Sequence, residues 1–280
     1  MNSSAISSLF LLLSITACGQ GGSGIPAKAK APVTDSTATP FVFGTTHHFR
    51  SSVLQQERVL NVYVPDGYAT DTTSYYPVIY VLDGSANEDF PHIAGLVQFM
   101  NMYDLLPKSI VVGIANVDRR HDLSHPSTVK EDLEIAPTAG GSAAFMEFIG
   151  KEVQPFVDKR YRTAQPRTII GQSLGGLFAL EVLYKQPDLF EQYIIVSPST
   201  WWDNRSLLEQ TPGWFATHVG IEKKVYLSIG TEGADMQANM DLLVKYFGEG
   251  SQQPMTWWYI PFPEETHATI LHRRDRKSVV

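Results

Sequence analysis

The stretch "RTIIGQSLGGLFALEVLYKQ", residues 167–186, contains the clearest strand-to-helix junction of the sequence. Its first part, "RTII", is β-branched and apolar, as in a strand that is buried on both faces. Its last part is an amphipathic run of helical length. Three glycines surround Ser173 at the junction, and residues without a Cβ allow a strand and a helix to approach closely. The stretch therefore predicts a strand, a sharp turn that exposes Ser173, and a helix.

Strand and helix patterns alternate on both sides of this stretch. Strands are predicted at "ERVLNVYVP", "YYPVIYVLDG", "KSIVVGIAN", "EQYIIVSP", "KKVYLSIG" and "MTWWYIPF", and helices at "FPHIAGLVQFMNMY", "GGSAAFMEFIGKEVQPFVDKRY" and "MQANMDLLVKYFG". Pro155 is expected to bend the second of these helices. The alternation predicts an α/β fold with an open, mostly parallel central sheet and helices on both faces. Ligands of such sheets bind beyond the carboxyl ends of the strands.

The composition limits the partners of the chain. Its 280 residues are enough for one large α/β domain, and the formal charge of −7 includes no basic stripe of the kind that binds nucleic acid. Apart from "HRRDRK" near the end, the charge is spread thinly. No clustered Cys and His pattern indicates a metal, and we expect neither a metal nor an organic cofactor.

The N-terminal region predicts export. "LFLLLSITACGQ" is an apolar run too short to span a bilayer, which is typical of a secretory signal, and "ITAC" resembles a bacterial lipobox with Cys18 as the lipidated residue. The alternative is an ordinary cleaved signal with an incidental cysteine. We predict a lipoprotein signal at 1–17, a flexible tether rich in Gly, Pro, Ala and Thr at 18–40, and a folded domain at 41–280. Gly19 favours an outer-membrane or periplasm-facing lipoprotein by the same resemblance.

The glycine-flanked serine predicts a nucleophile. Residues 171–175 form G-x-S-x-G between a strand and a helix, the context that a nucleophile elbow requires. The alternative is a tight strand-to-helix turn with a capping serine.

A serine hydroxyl needs a base and an acid that orients the base. When the serine lies on a nucleophile elbow, the acid and then the base follow it along the chain. His267, in a loop after the last strand, is the favoured base, and His272 is its rival. Glu232, directly after "KKVYLSIG", is the favoured acid, and Asp235 is an alternative that also suits helix capping.

Three further features belong to the predicted site. Leu174 follows the nucleophile and supplies one backbone N–H to an oxyanion hole. A second N–H is expected from Gly84 or Ser85, in the loop after "VIYVLDG", although that loop also suits a plain β-turn. Trp201 and Trp202 follow a central strand, and either form an apolar wall for an acyl or aryl group or belong to a packed loop.

The chain resembles the esterase family of α/β-hydrolases that includes esterase D-like enzymes and enterobactin-type siderophore esterases. The resemblance covers about residues 45–272. It rests on "YPVIYVLDG", "IVVGIANVDRRHDL", "IIGQSLGGLFALEVLYKQPDLFEQYIIVSPSTWWDN", "VYLSIGTEG" and the final His267. It implies an α/β-hydrolase fold, Ser173 as nucleophile, His267 as base, and an acid at or near Glu232. It also implies that "DRRHDL" lines the site, with Arg119 as a contact for substrate oxygens.

Together these observations predict a serine carboxylic-ester hydrolase that acts through an acyl-enzyme on a short acyl or aryl ester. The alternatives are a siderophore trilactone esterase, an acyltransferase of mycolyltransferase type, and a non-catalytic binding lipoprotein on the same fold.

Overall fold

The computed structural model describes residues 38–272, without the side chain of His272. The predicted signal and most of the tether, including Cys18, lie outside these residues. Contacts divide the chain after Phe41, and every element named below lies in the unit that begins at Val42.

Eight strands form one sheet in the order β1-β2-β4-β3-β5-β6-β7-β8. β1 pairs with β2, and β2 with β4, in antiparallel fashion, and all other neighbouring pairs are parallel. This arrangement confirms the predicted mostly parallel α/β sheet. The strands are β1 (Thr45–Arg50), β2 (Glu57–Tyr63), β3 (Tyr76–Val81), β4 (Ile110–Ile114), β5 (Thr163–Gln172), β6 (Gln192–Val196), β7 (Lys224–Ser228) and β8 (Thr256–Tyr259).

The nine α-helices described fill the connections between the strands. They are α1 (Asp89–Met102), α2 (Arg119–Asp122), α3 (Lys130–Ile135), α4 (Ser142–Phe148), α5 (Gln154–Arg160), α6 (Leu174–Lys185), α7 (Trp202–Glu209), α8 (Thr211–Thr217) and α9 (Ala234–Gly250). None of the helices described is both long and apolar enough to cross a bilayer.

Strand β3 shows why the sheet has helices on both faces. Side chains alternate along a strand, and Val78 and Tyr80 join the larger core with α6 and α9, whereas Ile79 and Val81 pack on the opposite face with α1. All four are buried. A parallel strand buried on both faces reads as a continuous apolar run, as "VIYV" does.

Two segments differ from the simple pattern. α4 and α5 are joined by a π-helical turn at Ile149–Val153, which ends two residues before Pro155. Proline clashes with the carbonyl group four residues earlier, and an irregular turn relieves that clash. The expected irregularity at Pro155 is therefore a π turn and not a break.

The segment between β6 and β7 contains α7 and α8, where the sequence predicted only a tryptophan-rich loop. Three consecutive residues near the start of α7, Asp203, Asn204 and Arg205, have positive φ. After this interruption only residues 206–209 of α7 are regular helix. That length is too short for a helical period to be recognised in the sequence.

Candidate active site

Ser173 lies on a sharp turn between β5 and α6. Its backbone has φ 60° and ψ −120°, a conformation that is strained for a residue with a Cβ. Ser173 N donates to Val196 O at 3.1 Å, and Leu177 N donates to Ser173 O at 2.9 Å. These bonds hold the turn between the neighbouring strand and the first turn of the helix. The geometry is that of a nucleophile elbow.

Gly171 allows this turn to close. An ideal Cβ built on Gly171 would lie 2.2 Å from Gly175 O, which real structures do not tolerate. Gly175 itself has room, because its Cβ would lie 3.5 Å from its nearest neighbour, Asp83 Oδ2. The two motif glycines are therefore not equivalent: the first makes the close approach, and the second supplies the backbone that is approached.

Two contacts connect the elbow to other loops at the carboxyl edge of the sheet. Ser173 Oγ lies 3.3 Å from Ser199 Oγ, and Ser199 N donates to Ser173 O at 3.0 Å. Gln172 Nε2 donates to the backbone oxygen of His267. The second contact brings the His267 loop beside the residue that precedes Ser173.

His267 and Glu232 form a hydrogen-bonded pair. His267 Nδ1 lies 2.8 Å from Glu232 Oε2, and the Glu232 side chain is only 3% exposed. Burial by itself raises the pKa of Glu232, but hydrogen bonds from His267 and Ser197 outweigh it and hold that pKa below its ordinary value. An ionised Glu232 favours a proton on Nδ1 of the imidazole and leaves Nε2 as an acceptor.

The rival residues lie apart from this pair or outside the description. Asp235 is exposed in the first turn of α9, where Gly233 occupies the N-cap position. The structure therefore brings Glu232, and not Asp235, into contact with His267. His272 ends a short 3₁₀ turn at Ile270–His272, and its side chain lies outside the described part.

Ser197 is a partner of Glu232 that the sequence analysis did not single out. Ser197 is completely buried, has φ 43°, and its hydroxyl donates to Glu232 Oε1. Ser197 and Ser199 lie just past the carboxyl end of β6. Because ligands bind beyond the carboxyl ends of such strands, the sequence could have indicated this loop as part of the site. Nothing in the residue types themselves distinguishes them from ordinary turn serines.

The predicted oxyanion donors have different outcomes. Leu174 is the first residue of α6, and the N–H groups of a first helical turn have no partner within the helix. The prediction for Gly84 is wrong, because its N–H donates to Ile114 O at 3.0 Å across the neighbouring strand end. Ser85 N donates to Glu88 Oε2 at 3.2 Å, an exposed side-chain acceptor rather than a backbone one, and the role of Ser85 stays a prediction.

The Arg119 side chain is paired with the Asp83 carboxylate at the edge of the candidate site. Its Nε and Nη2 lie 2.6 and 2.9 Å from the two carboxylate oxygens of Asp83, and Nη2 lies 3.4 Å from Gln172 O. Burial lowers the pKa of Arg119, but the hydrogen bonds and charge of Asp83 outweigh it and raise that pKa above its ordinary value. Asp83 therefore takes two of the five N–H donors of this guanidinium, and the predicted contact of Arg119 with substrate oxygens stays a prediction.

Trp201 and Trp202 differ in burial. Trp202 is 1% exposed, belongs to the main core, and donates its indole N–H to His125 O at 2.8 Å. The prediction that Trp202 forms a substrate wall is therefore wrong, because the indole is packed on every side. Trp201 is half-buried at the edge of the same core, and its predicted role stays open.

Within residues 38–272, no three His, Cys, Asp or Glu side chains lie together as metal ligands would.

Curated relatives of the chain include siderophore esterases. The ferri-bacillibactin esterase of Bacillus subtilis is 29% identical over 192 residues, which cover 62% of this chain and 65% of that protein. The siderophore enterobactin esterase of Emericella nidulans is 45% identical over 74 residues, which cover 25% of this chain and 24% of that protein. Both matches span less than two thirds of the relative's length.

Solved structures share the fold. The IroE-like serine hydrolase from Shewanella oneidensis superposes with a TM-score of 0.75 at 26% identity, covering 82% of this chain and 76% of that one. The BES protein from Bacillus cereus gives a TM-score of 0.76 at 24% identity, covering 88% and 97%. A family model described as "Putative esterase" matches residues 51–254. The chain therefore belongs to this esterase family, whose α/β-hydrolase fold it shares.

Proposed function

We propose that the chain is a serine carboxylic-ester hydrolase that acts through an acyl-enzyme. The observation that carries the proposal is the 2.8 Å contact between His267 Nδ1 and the buried Glu232 carboxylate, on a loop tied to the elbow of Ser173. Nucleophile, acid and base follow in this order along the chain, as in other α/β-hydrolases.

The catalytic residues have distinct roles in the proposed reaction. Ser173 Oγ attacks the ester carbonyl while His267 Nε2 accepts the hydroxyl proton, and the same proton then passes to the leaving alcohol. Glu232 orients His267 and stabilises the imidazolium that forms. Leu174 N–H donates to the oxyanion at the positive end of α6. Water, activated by His267 in the same way, then releases the acid from Ser173.

Two substrate classes suit this mechanism. A short acyl or aryl ester fits Trp201, a half-buried indole beside the predicted site that offers an apolar surface. A siderophore trilactone is equally well supported, because the Bacillus subtilis and Emericella nidulans relatives are siderophore esterases. Comparing kcat/KM for a short aryl ester, a long-chain ester and a catecholate trilactone under one set of conditions separates the two classes.

Replacing the nucleophile tests the mechanism. Ser173→Ala is expected to lower hydrolysis of a short aryl ester by at least about 10³-fold while the protein stays folded. A fluorophosphonate probe is expected to label the wild type and not this variant. A wild type that is neither labelled nor active on any ester, with or without an alcohol acceptor, would indicate a binding lipoprotein, whereas activity only with an acceptor would indicate a transferase.

We further propose that the chain is exported and held at a membrane by a lipid on Cys18, with residues 18–40 as the tether. The support is the "ITAC" sequence after a short apolar run. The destination proposed is the outer membrane or the periplasm-facing side of a membrane.

A further inference from the structure

Asp83 places a carboxylate beside the first turn of α6, the helix that follows the proposed catalytic serine. Asp83 is the second residue after the end of β3, has φ 53°, and its side chain is 12% exposed. Its oxygens accept from Arg119 Nε at 2.6 Å, from Arg119 Nη2 at 2.9 Å, and from Asn116 Nδ2 at 2.7 Å. This carboxylate has no role in the mechanism proposed above.

The position of this carboxylate matters because of what lies next to it. A Cβ built on Gly175 would lie 3.5 Å from Asp83 Oδ2, so the carboxylate flanks the first turn of α6. That turn contains the Leu174 N–H proposed to receive the oxyanion. A bare carboxylate here would compete for the positive end of the helix and would repel the developing negative charge.

Arg119 is placed to remove this repulsion. It pairs with Asp83 through two hydrogen bonds and lies 3.4 Å from Gln172 O, the residue before the nucleophile. Glu88 and Asp89 add to the negative field around the same guanidinium. Paired fork geometry of this kind fixes both position and charge, which a single lysine contact does not.

We propose that Arg119 acts through Asp83 as a positioning residue: it masks the Asp83 charge beside the oxyanion site and ties the end of β3 to the elbow strand. The inference rests on the proposed ester hydrolysis at Ser173. It differs from the role implied by family resemblance, in which Arg119 contacts substrate oxygens. In the masking role the arginine is required for every ester, including one with no group for a guanidinium to bind.

Arg119→Met tests the proposal on p-nitrophenyl acetate, a neutral ester without anionic groups. We expect kcat to fall about 10- to 100-fold with little change in KM, the size expected for an unmasked charge a few ångströms from the reacting centre. Arg50→Met is the matched control, because it removes the same charge from an exposed residue of β1, the strand at one edge of the sheet. This control is expected to keep wild-type kcat.

A second substitution distinguishes masking from mere structural support. Asp83→Asn removes the carboxylate charge, and the double variant Arg119→Met/Asp83→Asn is expected to recover most of the kcat lost in Arg119→Met. Urea unfolding of each variant separates the two explanations. A purely structural pair ties the loss and recovery of kcat to a matching loss and recovery of the free energy of unfolding, whereas masking lowers kcat in protein that remains fully folded. Arg119→Lys keeps the charge without the fork and is expected to lose less kcat than Arg119→Met, which keeps the test open if Arg119→Met fails to fold.

The results that overturn the proposal are specific. Wild-type kcat for Arg119→Met on p-nitrophenyl acetate, with a loss only on a catecholate trilactone, would assign Arg119 to substrate binding. A double variant no better than Arg119→Met would also refute masking. Failure of the proposed function is recognised separately, because the wild type would then neither hydrolyse the ester nor react with a fluorophosphonate.

Discussion

The two glycines of the elbow motif are expected to respond differently to the same substitution, Gly→Ala. At Gly171 the new Cβ would lie 2.2 Å from Gly175 O and 2.4 Å from Gly175 C, with backbone atoms on both sides of the contact. An ordinary contact needs a separation larger by about 1 Å, so β5 and α6 must move apart by that amount. At Gly175 the new Cβ meets Asp83 Oδ2 at 3.5 Å, which is ordinary contact.

These distances set the size of the effects. Overpacking of this kind destabilises a protein by about 1–3 kcal/mol, and a displacement of about 1 Å at the reacting atoms costs about 10²-fold in rate. Gly171→Ala is therefore expected to lose both stability and kcat/KM by these amounts. Gly175→Ala lies in the first turn of a helix, where replacing glycine stabilises by up to about 1 kcal/mol.

Two measurements on each variant check this prediction. Urea unfolding gives the change in the free energy of unfolding, and hydrolysis of p-nitrophenyl acetate gives kcat/KM. We expect Gly175→Ala to remain at least as stable as the wild type and within about 3-fold of its kcat/KM, a change of less than about 1 kcal/mol. Equal behaviour of the two variants would show that close approach at Gly171 does not shape the elbow.

Three other predictions follow from the contacts. Glu232→Gln is expected to lower kcat by at least about 10²-fold, and Asp235→Asn by less than about 2-fold, in the same aryl ester assay. Because the folded-state pKa of Glu232 is lowered, its ionisation stabilises the fold above the unfolded value of about 4.3, and this contribution disappears as pH falls through the folded-state pKa. Urea unfolding should therefore show Glu232→Gln less stable than the wild type at pH 7, with the difference shrinking in acid; a constant difference would contradict the linkage. Arg58 and Asp122 form a 2.7 Å ion pair in which both side chains are 1% exposed. Arg58→Met leaves the buried Asp122 carboxylate without its arginine, with His121 Nδ1 at 3.1 Å as its remaining side-chain partner. The variant is expected to lose about 3–5 kcal/mol of unfolding free energy, part of which Arg58→Met/Asp122→Leu restores. Cys18→Ser is expected to move the protein from the membrane fraction to the soluble one or to block its processing, and a wild type that is already soluble would exclude the anchor.

Local sequence patterns were enough to predict the sheet, the elbow and the order of the catalytic candidates. These features depend on local patterns: "VIYV" is apolar at every position, which is typical of a strand covered on both faces, and a serine between glycines after a strand favours a sharp turn. The choice of His267 and Glu232 also followed from position along the chain, because the loops after parallel strands meet at one edge. Their contact at 2.8 Å agrees with that reasoning.

Long-range packing determines which polar groups are already bonded within the fold. Gly84 N–H bonds to Ile114 O, the core surrounds Trp202, and Asp83 accepts from Nε and Nη2 of Arg119. Each of these partners is at least 30 residues away in the chain or packed from several elements at once, so no local pattern specifies it. Hydrogen-bond capacity is limited, and a donor that is used inside the fold is lost to a ligand. Which residues can meet a substrate is therefore a property of the packed structure and not of residue type.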